Sequence, residues 1–345
     1  MTEKSKNRNL QDARNSKKDE FYTQLPDIER ELKHYKDHFQ GKVVYCNCDD
    51  PRVSNFFHYF SHNFEKLGLR KLIATCYKNQ DMDLFSQNNS EQAICLVYDG
   101  DKSGNNLPDR DEIGITHLKG DGDFRSDECI AILKQADIVV TNPPFSLFRE
   151  YVAQLMEFDK KFLIIGSYNA ITYKEIFKLI KEDRIWLGYG FKAGNAFFET
   201  PHPKEFAKGV YNEETGLVKF RNVTWFTNID ISKRHDELIL YETYSPEKYP
   251  TYDNYDAIEV SKTKDIPADY DGAMGVPITF LDKHNPDQFE ILGITDRDNN
   301  SGLKTREYTD EDVPNPGDLN RRGVIRIGDE YKSTYARLLI KRRKS

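Results

Sequence analysis

Apolar positions along the chain follow two alternating periods. Ile28, Leu32 and Tyr35 fall on one helical face, so Ile28–Phe39 is expected as an amphipathic helix. KVVYCNC (42–48) reads as a strand. Pro51 stands at a helix start, and the aromatic-rich helix VSNFFHYFSHNFEKLG ends at Gly68. KLIATCY (71–77) is a second strand, followed by a polar loop over 79–91. AICLVYDG (93–100) and IGITHL (113–118) are two strands joined by a Gly/Asn/Pro-rich connection. Residues 126–135 form a short helix and ADIVVT (136–141) a buried strand. The helix LFREYVAQLMEF, the strand KFLIIGS (161–167) and the helix ITYKEIFKLIKE follow. Strands alternating with helices predict an α/β fold, a mostly parallel sheet with helices on both faces.

Beyond residue 185 the rhythm changes to hairpins and long loops, and 244–272 is rich in Tyr, Asp and Pro. A boundary is expected near 230. The organisation is a flexible arm (1–18), a catalytic domain (19–230) and a more irregular C-terminal region (231–345). Of the 345 residues 38% are hydrophobic, and 41 Phe and Tyr with two Trp supply core material. The apolar runs are far short of the roughly 20 residues of a membrane span. The charged N-terminus has no apolar signal segment.

Five cysteines without a regular framework point to reduced thiols and a cytoplasmic protein. Cys46-x-Cys48 has no second pair at zinc spacing. In His34/His38 and His58/His62, the residue after the first His is Tyr rather than Glu, so no metal is expected. The net charge of −7 hides an uneven distribution. Residues 1–18 carry six Lys/Arg against two acids, and 321–345 carry nine against two, which leaves the body strongly acidic. Basic ends of this kind either grip phosphates or are solvated tails.

The sharpest feature is DIVVTNPPF at 137–145. A buried strand delivers an amide, two prolines and an aromatic to the C-terminal edge of a parallel sheet, where open α/β sheets bind ligands. Pro143 and Pro144 stiffen the loop and leave its carbonyls free to accept. Asn142 adds a side-chain carbonyl. Two rigid acceptors can hold both hydrogens of an exocyclic amine and expose its lone pair, while Phe145 offers a flat face to a planar base. Such a site makes a conjugated amine nucleophilic without a strong base.

This tetrad is the signature of amino-group methyltransferases that use S-adenosylmethionine. Beyond it, the chain resembles the EcoRI-type adenine-specific DNA methyltransferases over nearly its whole length. The resemblance rests on DEFYTQ (19–24), KVVYCNCDDPRVSNFF (42–57), GDGDFRS (120–126), DIVVTNPPFSLF (137–148), KKFLII (160–165), ITYKEIF (171–177), RIWLG (184–188), YDNYDAI (252–258) and the long word at 262–291. The arm, 79–118, 189–221 and the tail after 293 look less alike. The resemblance implies a Rossmann-like methyltransferase fold with a seven-stranded, mostly parallel sheet. It also implies methyl transfer to adenine N6 in duplex DNA, for restriction–modification or phage or host DNA modification, by a monomer. The same tetrad serves methyltransferases of RNA adenines and of protein glutamine amides, and a non-catalytic DNA-binding homologue is a further alternative.

The first cofactor motif of the resembled family falls on Cys48-Asp49-Asp50-Pro51-Arg52, without a glycine, and the second strand ends Cys76-Tyr77 without a directly following acid. Asp123 and Phe124 follow the strand before the tetrad. They suit the cofactor's adenine, or a helix N-cap. Phe21-Tyr22-Thr23 resembles the segment that closes over the cofactor's methionine end, and Asn142 borders the same cofactor. Trp225, with Phe197 second, is expected to cover the other face of the flipped base. Arg321, Arg322, Arg326, Lys341, Arg342 and Arg343, with the arm Lys4–Lys18, are expected to contact phosphates.

Overall fold

A computed structural model of the chain describes residues 21–77, 93–105, 107–199, 210–296 and 298–343. The basic arm and the loop at 79–91 lie outside the described residues. The chain divides into two compact units. One comprises the described residues up to Ala170 together with Leu187–Ile229, and the other Ile171–Trp186 with the chain from Asp230 onward.

In the first unit β1 (Tyr22–Thr23) leads into α1 (Leu25–Leu32), which has Pro26 in its first turn. The sequence predicts a helix to Phe39. The structure keeps the buried face, with Ile28, Leu32, Tyr35 and Phe39 all inside. Beyond Leu32, however, the bonds tighten to i→i−3, from Tyr35 N to Leu32 O and from His38 N to Tyr35 O. After β2 (Val43–Cys46), α2 (Asn55–His62) is capped by Ser54 Oγ, which accepts from Phe56 N at 3.3 Å. The short α3 (Phe64–Leu67) ends at Gly68 in the left-handed conformation.

The remaining strands of the large sheet are β3 (Lys71–Thr75), β4 (Ile94–Tyr98), β5 (Ile113–His117), β6 (Ile138–Thr141), β7 (Lys161–Ser167) and β8 (Trp186–Leu187). Two helices accompany them, α4 (Asp127–Gln135) and α5 (Phe148–Glu157). A smaller antiparallel sheet has the order β1-β9-β11-β10, formed with β9 (Ala196–Glu199), β10 (Tyr211–Asn212) and β11 (Leu217–Phe220). With β12 (Val223–Thr227) the large sheet has eight strands in the order β5-β4-β3-β2-β6-β7-β12-β8. The expected seven-stranded, mostly parallel sheet is therefore corrected to a mixed one. The central strands β3-β2-β6-β7 run parallel. β4 returns antiparallel to β3, β5 turns back on β4, and β12 is antiparallel to β7. Parallel neighbours need a crossover of a dozen or more residues. β4 and β5 are joined by the loop 99–112, which carries no helix among its described residues, and they pair antiparallel.

In the second unit, α6 (Lys174–Lys181) buries Ile176, Phe177 and Ile180. Its four-stranded sheet has the order β13-β14-β18-β15, built from β13 (Ile258–Glu259), β14 (Met274–Pro277), β15 (Phe289–Ile294) and β18 (Arg337–Arg342). β16 (Val324–Ile327) and β17 (Glu330–Ser333) form a separate ribbon. Tyr249, Tyr252 and Tyr255, from the Tyr/Asp/Pro-rich stretch, are core residues here.

Candidate active site

The four central parallel strands share one C-terminal edge, and the tetrad leaves that edge from β6. Val139 and Val140 are fully buried, and this strand passes straight into Asn142 and Pro143, both buried, then Pro144 and Phe145. Phe145 is half-buried. The Pro144 carbonyl accepts from Leu147 N at 3.0 Å. Asn142 Nδ2 donates to the carbonyl of Phe21 at 2.6 Å. That bond fixes the amide plane and leaves Asn142 Oδ1 buried with no hydrogen-bond partner. A buried acceptor without a donor costs about 1–3 kcal/mol unless a ligand satisfies it.

Phe21-Tyr22-Thr23 thus lies against the tetrad, although the two segments are far apart in sequence. β1 is held on β9 through Tyr22↔Glu199 and Thr23↔Phe198, and Asn55 Nδ2 donates to Thr23 O at 2.8 Å. Thr23 Oγ1 is a second buried oxygen without a partner. The Phe21 ring lies 6.3 Å from Phe145 and 4.8 Å from Phe220, and Phe145 meets Phe220 edge-on at 6.2 Å. Phe220 has no motif around it in the sequence, and only its position on β11 brings it here.

At the ends of β2 and β3 the glycine-free loop takes a glycine-like path. Cys48 has φ +81°, in the left-handed region that side chains rarely adopt. Asn47 is anchored twice: its carbonyl accepts from Thr141 Oγ1 and its Oδ1 from Tyr151 Oη. Asp49 is buried and accepts from Ser54 Oγ at 3.3 Å, and Pro51 is buried beside it. Burial, then the charge of Asp49, pushes the Cys48 thiol well up, so it stays protonated and packs. Cys76 is buried and Tyr77 half-buried. Gly122, with φ +79°, lets the chain pass against the Cys76 carbonyl, and any Cβ there would collide with it.

The 120–126 word therefore sits beside the end of β3. Asp123 does not cap a helix, because Ser126 Oγ caps α4 by accepting from Cys129 N at 3.2 Å. Its carboxylate is held by Arg125 at 2.7 Å, and Arg125 also reaches Glu150 at 3.0 Å. Phe124 is buried, edge-on to Tyr151 at 5.1 Å.

A profile for the family described as "Adenine-specific methyltransferase EcoRI" matches residues 9–343. The chain belongs to the EcoRI adenine-specific methyltransferase family. It is 50% identical to "Type II methyltransferase M.EcoRI" of Escherichia coli, over 86% of this chain and 94% of that protein. It is 41% identical to "Type II methyltransferase M.MpnI" of Mycoplasma pneumoniae, over 81% and 83% of the two chains. For "Type II methyltransferase M.MgeORF184P" of Mycoplasma genitalium the figures are 39%, 81% and 84%. No solved structure matches the chain. As a member of this methyltransferase family the protein is an enzyme, and its tetrad edge is the candidate active site.

Two of the aromatic expectations part company in the structure. Trp225 is fully buried on β12, stacked on Phe191 at 5.8 Å and edge-on to Phe56 at 6.1 Å. With 0% of its surface exposed it has no face open to a base, and its position is that of a core residue. Phe197, on the outward side of β9, is 39% exposed, with Lys219 Nζ 5.7 Å from its ring centre. Arg321 and Arg326 are exposed and Arg322 is half-buried. Arg326 stands on the β16–β17 ribbon, 5.8 Å from the Tyr331 ring. Arg342 and Arg343 are tied to the carbonyls of Ala268 and Pro286. Among the described residues no cluster of His, Cys, Asp or Glu could hold a metal, and no helix is long and apolar enough to cross a membrane.

Proposed function

We propose that the protein transfers a methyl group from S-adenosylmethionine to N6 of an adenine turned out of duplex DNA, as a monomer serving a restriction–modification system. The observation that carries the reading is Asn142: a buried amide, pinned at Nδ2 by the Phe21 carbonyl, with Oδ1 left unpartnered. Asn142 Oδ1 and the Pro143 carbonyl accept the two hydrogens of the adenine amine and draw its nitrogen lone pair outward. Phe145 stacks on one face of the base; Phe197 lies on the face of β9 opposite Phe198, which packs on Phe21 and Phe220 beside Phe145, and does not reach the base. Turning the base out costs only a few kcal/mol, and chemistry within the stack is blocked.

The core is read as a Rossmann-like methyltransferase domain over 19–230, with 231–345 contributing to DNA recognition and the basic residues of 1–18 contacting phosphates. The residues fit the cofactor: with Asn142 Oδ1 committed to the adenine amine, Thr23 Oγ1 is a further buried oxygen without a partner that it can satisfy. Phe21, Tyr22 and Thr23 border its amino-acid end, Cys48, Asp49 and Pro51 form the loop beneath it, and Cys76, Tyr77, Asp123 and Phe124 surround its adenosine. When bound, S-adenosylmethionine supplies an electrophilic methyl carbon on a sulfonium. Arg321, Arg322 and Arg326 contact phosphates.

The test is transfer of tritiated methyl from the cofactor to plasmid DNA, to total RNA and to protein extract, each with wild type and Asn142→Ala. Label entering adenine of duplex DNA only, and lost in the variant, is the expected result. Near wild-type transfer by Asn142→Ala sinks the mechanism, and label in RNA or protein alone moves the substrate.

A further inference from the structure

The first unit carries a second concavity that shares no residue with the tetrad and borders the proposed cofactor loop only at Pro51. It measures about 780 Å³, within the range of small-molecule pockets. Its floor is apolar, with Phe57 from α2, Ile94 and Leu96 from β4, and Ile113 and Ile115 from β5. Ile115 is 58% exposed, which is unusual for a branched side chain in mid-strand. The rim is cationic. Arg52 precedes α2, His58 and His62 lie on it, Arg110 comes from the β4–β5 connection, and His117 ends β5. No Asp or Glu lines this cavity among the described residues, in a chain whose acids outnumber its Lys and Arg by 57 to 50.

We infer that this cavity is a second ligand site, for a nucleotide: a flat heteroaromatic ring on the Ile/Phe floor and a phosphate among the Arg and His side chains. Arginine and imidazolium are the donors that suit phosphate oxygens. Arg52 is also paired with Asp50, so Arg110 carries most of the available charge, and His58, His62 and His117 add imidazole N–H donors. His62 Nδ1 is bonded to the His58 carbonyl at 2.8 Å, which directs its Nε2 outward. Burial, then the neighbouring His62, holds His58 below the usual imidazole range, and an anion between them would relieve that repulsion. The nucleotide could be free or part of a nucleic-acid strand, since both present the same ring and phosphate.

The test titrates the full-length protein at about pH 6.5, where histidine is partly charged, with adenosine 5′-monophosphate and separately with a short single-stranded oligonucleotide. Calorimetry reads binding to wild type, Arg110→Ala/His117→Ala and Asn142→Ala. We expect one site whose affinity falls about tenfold or more in the double variant, from loss of two charged donors, and is unchanged in Asn142→Ala. Saturating S-adenosylhomocysteine should leave it in place. Binding of the monophosphate identifies a free nucleotide, and binding of the oligonucleotide alone, weakened in the double variant, identifies a strand. No binding of either probe, equal binding by the double variant, or displacement by S-adenosylhomocysteine overturns the inference. None of these results bears on methyl transfer by the tetrad, which the tritium assay reads separately.

Discussion

Glu259 in the second unit and Asn142 in the first are both buried polar side chains, and they are treated in opposite ways. Glu259 is saturated: Arg337 grips it at 2.7 and 3.0 Å, Tyr252 Oη donates to it, and Ser261 Oγ reaches it at 3.4 Å. Asn142 is pinned on one side only, and its other atom faces nothing. Burying polar groups is costly in both places. Around Glu259 the protein itself supplies the compensation, so the knot serves the fold. Around Asn142 the protein supplies no such compensation, and under the proposed function the substrate amine does. An orphaned atom alone does not mark a site, however. Trp225 Nε1 also lacks a partner, but it is a single donor on a ring packed between Phe56 and Phe191 in the core.

The comparison breaks most visibly at Glu259. Removing one partner of a buried ion pair costs about 3–5 kcal/mol, because the other charge is left stranded. Glu259→Ala should therefore lower the unfolding free energy read from urea titration by that much, with any loss of methyl transfer tracking the unfolded fraction. A shift under about 1 kcal/mol would show that water, not Glu259, satisfies Arg337.

Asn142→Ala should do the reverse. Deleting a preorganised group that acts on the reacting atom lowers kcat by about 10²–10³-fold. The stability loss should be only about 1 kcal/mol, from the bond to the Phe21 carbonyl. Thr23→Val sharpens the contrast. Its hydroxyl has no partner to lose, so stability should hold within about 1 kcal/mol. Cofactor affinity should fall by up to about tenfold, if that oxygen is satisfied only by ligand. A destabilised Thr23→Val protein with unchanged affinity would place the threonine in the fold rather than the site.

Much of this site was legible in the sequence because it is local. A Val/Ile strand running into Asn142-Pro143-Pro144-Phe145 states its burial within one short word, and the same word carries the chemistry proposed for it. The antiparallel β4–β5 extension was less legible: two apolar runs say strand, while direction depends on a connection that the pattern does not encode. Trp225 illustrates the limit for aromatics. Its type suits base stacking and core packing equally, and only the position of β12, buried on both faces, encloses it. Cys48 shows the converse. A glycine is the usual signal for a left-handed turn, yet the anchoring of Asn47 by Thr141 and Tyr151 accompanies that backbone at a cysteine.

The smallest expected effects belong to the basic ends, where single charge contacts with DNA are individually weak. Removing one lysine or arginine that neutralises a phosphate should flatten the slope of log affinity against log salt by about 0.9. Arg321 and Arg326 are exposed, so their alanine variants should each lower the slope by about that amount without altering cofactor affinity. Arg342 and Arg343 already donate to backbone carbonyls, so their removal should disturb the sheet edge before it disturbs DNA. Truncating 1–18, which carries six Lys/Arg, should flatten the slope by more than any one substitution. An unchanged affinity and slope in that truncation would make the arm a solvated tail and leave register on the duplex to the arginines of the second unit.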